Sequence, residues 1–249
     1  MIVLKTAKEL QEMKEACRIS AGALRVAKEA IAVGVSTAYI DDVVRKYIKS
    51  EGATPSFLNY NGFPNSACIS VNEEVIHGIP SRKRIIMDGD IVSVDVGACY
   101  NGYHGDNAAT FGVGTVSDEA QRLMDVTREC LHRAVLVALP GNRIGDIGHA
   151  VQSYAEANGF SVVRDYIGHG VGRHLHEAPE VPNFGNAGHG ERLVPGMTIA
   201  IEPMINAGTR EVKQLSNGWT IVTKDSSLSA HFEYSIAITD KQPIILTAE

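Results

Sequence analysis

The first hydrophobic pattern in the chain is that of a long amphipathic helix. Hydrophobic residues recur every three or four positions across residues 10–31, which is the spacing of one helical face. Thr6 followed three residues later by Glu9 is the capping-box signature of a helix start. Gly34 marks the predicted end.

A shorter helix and a hairpin follow. Residues 40–48 again have helical spacing and are followed by Gly52. Residues 91–96 form a predominantly apolar strand. Asn101-Gly102 is a strong hairpin-turn dipeptide, so a return strand is expected toward Phe111.

The helical pattern then recurs. Residues 123–137 predict a third helix, which Pro140-Gly141 ends, and residues 144–154 predict a fourth, which ends at Gly159. The two helix pairs are related by one constant shift along the sequence, which we call the repeat offset. The identical pairs at this offset are Leu24/Leu131, Ala27/Ala134, Gly34/Gly141, Ile40/Ile147, Val44/Val151, Tyr47/Tyr154 and Gly52/Gly159.

Similar amphipathic helices alone would produce some of these identities. The repeat offset, however, also places residues 88–95 over residues 195–202. In each segment a glycine turn leads into an apolar strand that ends in a carboxylate, Asp95 or Glu202. We therefore interpret the chain as one domain (1–249) made of two diverged halves, about 1–115 and 116–249, around a pseudo-two-fold axis.

Composition and charge narrow the class of protein. The chain has 249 residues, of which 44% are hydrophobic and 21% charged, as in ordinary globular proteins. Its formal charge of -6 argues against a general nucleic-acid binder, which needs a basic face. No signal peptide or membrane-spanning run is visible. The four cysteines form no CxxC pair and are expected to be free thiols in the cytoplasm.

Two carboxylates are predicted to meet on one face of the hairpin. If the turn at Asn101-Gly102 sets the register, Asp95 pairs with Ala108 and Asp106 is its diagonal neighbour. A single strand aspartate would usually face solvent. Two buried acids, with Glu202 repeated by the offset, would repel one another unless a cation lies between them.

Histidines and glycines are concentrated in residues 167–177, where His169, His174 and His176 lie among three glycines. Glycines allow the backbone to approach a site closely. Three histidines so near each other favour a ligand role, although the spacing is not that of a structural zinc site. His77 precedes a rigid Gly-Ile-Pro turn, and Glu233 leads into another apolar strand.

These motifs together resemble methionine aminopeptidase of type I. The resemblance is carried by residues 72–80, Asp95, Tyr103-His104-Gly105-Asp106, Gly168-His169-Gly170-Val171-Gly172, Ile201-Glu202-Pro203 and His231-Phe232-Glu233, and it extends over essentially the whole chain. It implies the α+β pita-bread fold, in which helices cover a mainly antiparallel curved sheet with pseudo-two-fold symmetry.

The resemblance also implies a dinuclear metal site. Its ligands would be Asp95, Asp106, His169, Glu202 and Glu233. They would hold two divalent ions (Co, Mn, Fe or Zn), whose shared water becomes a nucleophile at neutral pH. Glu202 would be the general base, His176 would stabilise the tetrahedral intermediate, and His77 would orient the peptide beyond the cleaved bond.

Substrate binding is expected to involve His77, His176 and an apolar methionine pocket. The pocket residues would be Phe57, Tyr60, Phe63, Cys68, Leu175 and Trp219, each of which is equally interpretable as an ordinary core residue. Family members often have Cys, Tyr and Phe in place of Phe57, Phe63 and Leu175, and many have Thr in place of Gly97. His174 matches no position of the family pattern, and His104 and His231 stay open between a supporting and a packing role.

The implied activity is removal of the N-terminal methionine from nascent proteins when the next residue is small. A prolidase or Xaa-Pro aminopeptidase shares the fold and similar ligands, but usually carries an extra N-terminal domain, whereas this chain begins almost at its first helix. A non-catalytic binding protein would lack ligands that are present here. The insertion of type II enzymes and the zinc-finger extension of some eukaryotic enzymes are missing, which favours a bacterial-type minimal form.

The expected partner is therefore the N-terminal methionine of nascent polypeptides, with the enzyme near the ribosome although no docking motif is visible. No nucleic-acid site and no membrane contact are expected. Because no exposed apolar stripe demands a dimer, we expect a monomer.

Overall fold

The structure, a computed structural model that describes residues 1–248, contains helices and strands in an α+β arrangement. The helices are α1 (Ala7–Ala30), α2 (Thr37–Ser50), α3 (Asp118–Val137) and α4 (Ile144–Ala157), with a 3-10 turn at Tyr60–Gly62. The strands are β1 (Thr54–Pro55), β2 (Ala67–Val71), β3 (Glu74–Ile76), β4 (Ile91–Tyr100), β5 (Tyr103–Gly112), β6 (Ser161–Val162), β7 (Gly168–Gly170), β8 (Glu177–Val181), β9 (Thr198–Ile201), β10 (Met204–Asn206), β11 (Val212–Gln214), β12 (Ile221–Thr223), β13 (Ser229–His231), β14 (Glu233–Ala237) and β15 (Ile244–Ile245).

The helices lie where the hydrophobic pattern predicts them. At the start of α1 the Thr6 hydroxyl accepts a hydrogen bond from the Glu9 amide, and the Glu9 carboxylate accepts one from the Thr6 amide. The capping box is therefore confirmed. Helix α3 begins earlier than its periodicity predicts, because its first turn, capped by Ser117, carries the acids Asp118 and Glu119 instead of apolar residues.

The β4–β5 hairpin has the predicted register. Asp95 pairs with Ala108 and Gly97 pairs with Asp106, so the two aspartates are diagonal neighbours on one face. The turn residues Asn101 and Gly102 both have positive φ angles, 49° and 76°. This is the backbone of a two-residue turn that matches the twist of the strands it connects.

Within residues 1–248 the main sheet has nine strands in the order β1-β4-β5-β14-β9-β7-β8, with β2 beside β4 and β15 beside β14. All strand pairs in it are antiparallel. Helices α1 and α2 pack against β4, β5 and β2, while α3 and α4 pack against β14, β9 and β8. The predicted α+β class with a mainly antiparallel sheet is confirmed.

The repeat offset also appears in the geometry of the elements. Helices α2 and α4 begin and end at positions separated by this offset, and so do the first residues of β4 and β9. Gly34, Gly89 and their counterparts Gly141 and Gly196 have φ angles between 86° and 93°. Each helix pair packs over its own part of the sheet and has its own hydrophobic cluster.

Strand β14 is the central connection of the sheet. It pairs with β5 on one side and with β9 on the other, so the carboxylates of both regions approach one another. Among residues 1–248 no helix is both long and apolar enough to cross a bilayer.

Candidate metal centre and active site

A cavity of about 80 Å³ lies above the middle of the sheet. It is lined by every residue that the sequence singles out as a ligand, catalytic group or pocket residue: Phe57, Tyr60, Phe63, Cys68, His77, Asp95, Asp106, His169, Leu175, His176, Glu202, Trp219 and Glu233. They come from strands and loops that are far apart in the chain. Their assembly in one cavity is a finding of the structure, while their individual roles stay predictions.

Four carboxyl groups converge at the floor of the cavity. Asp106 and Glu233 are buried, at 3% and 2% exposure, whereas Asp95 and Glu202 are half-buried and line the cavity. Burial raises the pKa of Asp95 to about 8. It also raises the pKa values of Asp106, Glu202 and Glu233 well above their usual range, and the negative charge of neighbouring acids raises them further. Four acids so close together cannot all be ionised without a compensating cation.

His169 is fixed in the tautomer that suits a ligand. Its Nδ1 lies 2.8 Å from the Gly170 carbonyl oxygen, so Nδ1 donates a proton there and Nε2 keeps a free lone pair. Nε2 lies 3.5 Å from Glu202 Oε1 and 3.9 Å from Asp106 Oδ2. Burial lowers the pKa of this ring to about 4, which keeps it neutral at physiological pH.

The donor set fits a divalent metal. Asp106, His169 and Glu233 each offer an atom within 4.8 Å of the others. Buried oxygens of Asp95, Asp106 and Glu233 have no hydrogen-bond partner among residues 1–248, which is unfavourable for buried polar atoms unless something else binds them. A buried cluster of carboxylates and one neutral imidazole provides hard ligands of the kind that Mn, Fe or Co accept.

Glu202 lies between a backbone anchor and a second histidine. Asn183 donates a hydrogen bond of 3.0 Å to its carbonyl oxygen, which fixes the chain where β9 ends. His231 Nε2 lies 3.7 Å from Glu202 Oε2 and is buried without a hydrogen-bond partner in residues 1–248. Of the two readings left open for His231, the structure favours the supporting one.

His176 and His77 lie at the rim of the floor. The Nδ1 atom of His176 lies 2.8 Å from the Tyr60 hydroxyl, and its ring centroid is 4.2 Å from that of His169. His77 has a positive φ of 57° and makes edge contacts with the rings of Tyr166 and Trp219. Burial lowers the pKa of His77 to about 4, so it too is neutral.

The opposite wall of the cavity is apolar. Phe57, Phe63, Cys68 and Leu175 form one buried cluster, against which Tyr60, Ile79 and Trp219 pack. Phe63 and Trp219 meet edge to face with centroids 5.2 Å apart. Gly97 makes room for this wall, because a Cβ at that position would lie 2.9 Å from Phe57 Cε1. Phe57 therefore occupies the space that a side chain at position 97 would take.

The remaining histidines of the motifs differ in environment. His174, which matches no position of the family pattern, is exposed on its loop. His104 is partly buried, and its Nδ1 lies 2.9 Å from the Ser56 hydroxyl, next to the loop that carries Phe57. Neither of them lines the cavity.

Four supporting residues were missed at the sequence level. Tyr166 and Ile79 contact site residues from separate loops. No sequence pattern distinguishes Tyr166, whereas Ile79 lies in the Gly-Ile-Pro turn that follows His77. Asp41 looks like a helix-surface acid, yet its carboxylate is buried and holds the loop that carries the pocket residues. Lys5 looks like a terminal surface lysine, yet it is buried against Glu177. Of these four residues, only Asp41 and Lys5 could have been recognised from the sequence, because each is a charged residue within an apolar segment.

Comparison with known proteins agrees with the geometry. The pattern that defines metallopeptidase family M24 matches residues 11–240. The methionine aminopeptidase of Clostridium acetobutylicum is 51% identical over 247 residues, which cover 99% of this chain and 99% of that protein. The crystal structure of methionine aminopeptidase from Thermotoga maritima is 45% identical with a TM-score of 0.99 over 100% of both chains. The prolidase from Pyrococcus furiosus is 26% identical with a TM-score of 0.80, and the match covers 99% of this chain and 66% of the prolidase.

Proposed function

This chain belongs to metallopeptidase family M24 and is a metal-dependent aminopeptidase with the pita-bread fold, and we propose on that basis that it removes the N-terminal methionine from nascent proteins when the next residue is small. The observation that carries the proposal is the cavity itself, in which an apolar wall directly adjoins the buried acid cluster. A side chain held by the wall leaves its backbone above the acids, where hydrolysis would occur.

We propose that Asp95, Asp106, His169, Glu202 and Glu233 hold two divalent ions, of Co, Mn, Fe or Zn. The orphaned carboxylate oxygens and the free Nε2 of His169 support this ligand set. When bound, such ions supply positive charge and lower the pKa of a water molecule toward neutrality. The close approach of Asp106, His169 and Glu233 supports a metal site at the floor of the cavity.

Glu202 is the proposed general base. It is the carboxylate that borders both the cavity and a neutral histidine, His231, 3.7 Å away. In this position it accepts the proton of the attacking water and passes it to the leaving amine. General bases of this kind contribute on the order of 10²–10⁴-fold to the rate.

His176 and His77 are proposed to act on the substrate. The Tyr60 hydroxyl can donate to Nδ1 of His176, which leaves Nε2–H free to donate to the carbonyl oxygen as negative charge develops on it. The pKa of His176 is lowered by partial burial, so the ring is neutral near pH 7. His77, held between Tyr166 and Trp219, orients the peptide beyond the cleaved bond.

The apolar wall is the proposed methionine pocket. Phe57, Phe63, Cys68 and Leu175 provide the buried surface, and Tyr60 and Trp219 border it. An unbranched, polarizable thioether packs well in such an irregular aromatic space.

The experiment compares Met-Ala and Xaa-Pro peptides after the metal-free protein has been reconstituted with Mn, Fe or Co. Release of methionine from Met-Ala peptides, measured by chromatography, supports the proposal. Cleavage of Xaa-Pro peptides without any methionine release would instead indicate the activity named for the prolidase relative. A protein that binds no metal and cleaves neither peptide would contradict both.

We further propose that the chain works as a single domain of two halves (about 1–115 and 116–249), as a monomer in the cytoplasm and near the ribosome. The mixed origin of the ligands supports the single domain, since Asp95 and Asp106 come from one half and His169, Glu202 and Glu233 from the other. The four free cysteines support a reducing compartment.

A further inference from the structure

One buried ion pair lies just outside the cavity and belongs to none of the groups assigned so far. Lys5 Nζ lies 2.5 Å from Glu177 Oε2, and the two side chains are only 3% and 7% exposed. Lysine is almost never buried in this way unless it is paired. The pair joins the segment before α1 to the segment that follows His176.

Both partners are fixed by further hydrogen bonds. The Lys5 amide donates to the Gly196 carbonyl oxygen at 2.8 Å, and Lys5 Nζ donates to the Val3 carbonyl oxygen at 3.1 Å. On the other side, Glu177 Oε1 accepts a hydrogen bond of 3.1 Å from the His174 amide. The Glu177 carboxylate therefore holds the backbone on one side of His176 while its own residue forms the other side.

The backbone around the pair leaves room for it. A Cβ at Gly172 would lie 2.5 Å from Lys5 Cε and 2.7 Å from Glu177 Oε1, so a side chain at this position would displace the ion pair. The Gly172 carbonyl oxygen accepts a hydrogen bond from the His104 amide at 2.8 Å, and the Gly172 amide donates to the His174 carbonyl oxygen at 3.1 Å. Gly172, the last glycine of the 168–172 motif, thus leaves the space that the Lys5–Glu177 ion pair occupies.

The His176 ring itself has few constraints. It is partly exposed, and its hydrogen bond comes from Tyr60, which lies on a separate loop. Glu177 is the first residue of β8 and pairs with Gly170, next to the candidate ligand His169. The Glu177 carboxylate therefore fixes the position of the His176 backbone relative to the proposed metal site.

We propose that Lys5 and Glu177 are positioning residues that hold His176 at the distance from the metal site required for it to bind the developing oxyanion. The proposal rests on the role of His176 proposed above. A buried ion pair is weak support for stability, because desolvation offsets much of the attraction, and its best-attested use is to specify one geometry. Here that geometry is the course of residues 172–177.

The test measures kcat and KM for a Met-Ala peptide with the metal-loaded enzyme. Lys5→Met should lower kcat about tenfold, since small displacements of a catalytic group are costly, and leave KM within about twofold because the apolar wall is untouched. In a His176→Ala background the same substitution should lower kcat no further. Arg128→Met, which breaks the exposed Arg128–Asp125 pair, should change neither constant.

If Lys5→Met fails to fold because it leaves Glu177 unpaired, Lys5→Met/Glu177→Leu removes both charges and should fold with the same loss of kcat. An equal loss of kcat with and without His176 overturns the proposal, because the pair would then act on overall structure. Unchanged kcat in Lys5→Met, while His176→Ala is impaired, overturns the positioning role alone. Unchanged kcat in His176→Ala overturns the proposed role of His176, and the positioning role with it.

Discussion

The two pairs of cavity carboxylates are built in different ways. Asp95 and Asp106 are close in the sequence, on two long strands joined directly by a tight turn. Glu202 and Glu233 are much farther apart in the sequence, at the ends of short strands separated by β10 to β13. The first pair is positioned by local geometry, and the second by long-range pairing such as that of Tyr234 with Ile201.

Helices α2 and α4 also differ in how they hold a neighbouring loop. Buried Asp41 of α2 accepts hydrogen bonds from the amides of Ser66 and Ala67 and from the Asn65 side chain, and thereby holds the loop that carries the pocket residues. At the equivalent position of α4 stands Gly148, where a Cβ would clash with the Phe184 carbonyl oxygen. The loop next to α2 is therefore held by hydrogen bonds to a helix side chain, whereas the loop next to α4 packs directly on the helix.

The largest expected effect concerns Glu202, the counterpart of Asp95 at the repeat offset. Glu202→Gln should lower kcat by about 10²–10⁴-fold, because it removes the proposed base while keeping the side chain's shape. The thermal midpoint should stay near that of the unchanged protein. Peptide kinetics at saturating metal and thermal unfolding measure these quantities. A fully active variant would show that Glu202 is not the base. The two carboxylate pairs would then not differ in function.

The next effect concerns the loop anchor. Asp41→Ala should lower the free energy of unfolding by about 3 kcal/mol, because the buried amides of Ser66 and Ala67 lose their acceptor. It should also raise KM, since the loop carries Phe57, Tyr60 and Phe63. The matched control is exposed Asp42→Ala, for which about 0.5 kcal/mol is expected. Urea unfolding that gives the same value for both variants would contradict the anchoring role.

A third effect is the pH dependence of the metal-free protein. Because burial raises the pKa of Asp95 to about 8, the folded state binds a proton that the unfolded chain releases near 3.8, so stability is lost as pH rises toward 8. Buried histidines such as His169 act oppositely, but only below their ordinary value of 6.5. Between pH 6.5 and 8 Asp95 alone should account for a loss of about 2 kcal/mol, and the other three acids, whose pKa values are also raised, should add to it.

Chemical unfolding with chelator present measures this loss. Metal-loaded protein should show little of it, and Asp95→Asn should reduce it. A metal-free protein equally stable at both pH values would show that the hairpin acids are not held protonated.

The smallest expected effect concerns the turn at Asn101-Gly102, which sets the register of Asp95 and Asp106. Gly102→Ala and Gly34→Ala both place a side chain at a positive φ, 76° and 86°, and each should cost about 1 kcal/mol in unfolding free energy. Only Gly102→Ala should also weaken metal binding, because the turn sets the register of Asp95 and Asp106. Calorimetric titration with Mn compares the two variants. Equal metal affinities would mean that the strands keep their register without the turn.

Sequence reasoning succeeded where geometry is local. The capping box at Thr6, the four helices and the register of Asp95 with Ala108 follow from spacing and turn chemistry. The repeat offset was also visible, because both regions keep glycines where the backbone needs a positive φ.

Residue spacing alone does not predict the contacts that depend on long-range pairing of strands. The meeting of Glu233 with Asp106 requires β14 to enter between β5 and β9, which no local pattern specifies. The ligand role of Glu233 is implied only by the family resemblance. The buried partners Lys5 and Glu177 were missed for the same reason, since their wide separation along the chain leaves no trace in composition or period.

The position of β14 has a consequence for biosynthesis. Its residues 233–237 form the middle of the sheet, yet they leave the ribosome after every other strand except β15. Until then β5 and β9 lack their shared neighbour, and the cavity lacks Glu233. A chain interrupted before residue 233 therefore lacks part of the proposed ligand set, so translation must proceed past this strand before the complete site can assemble.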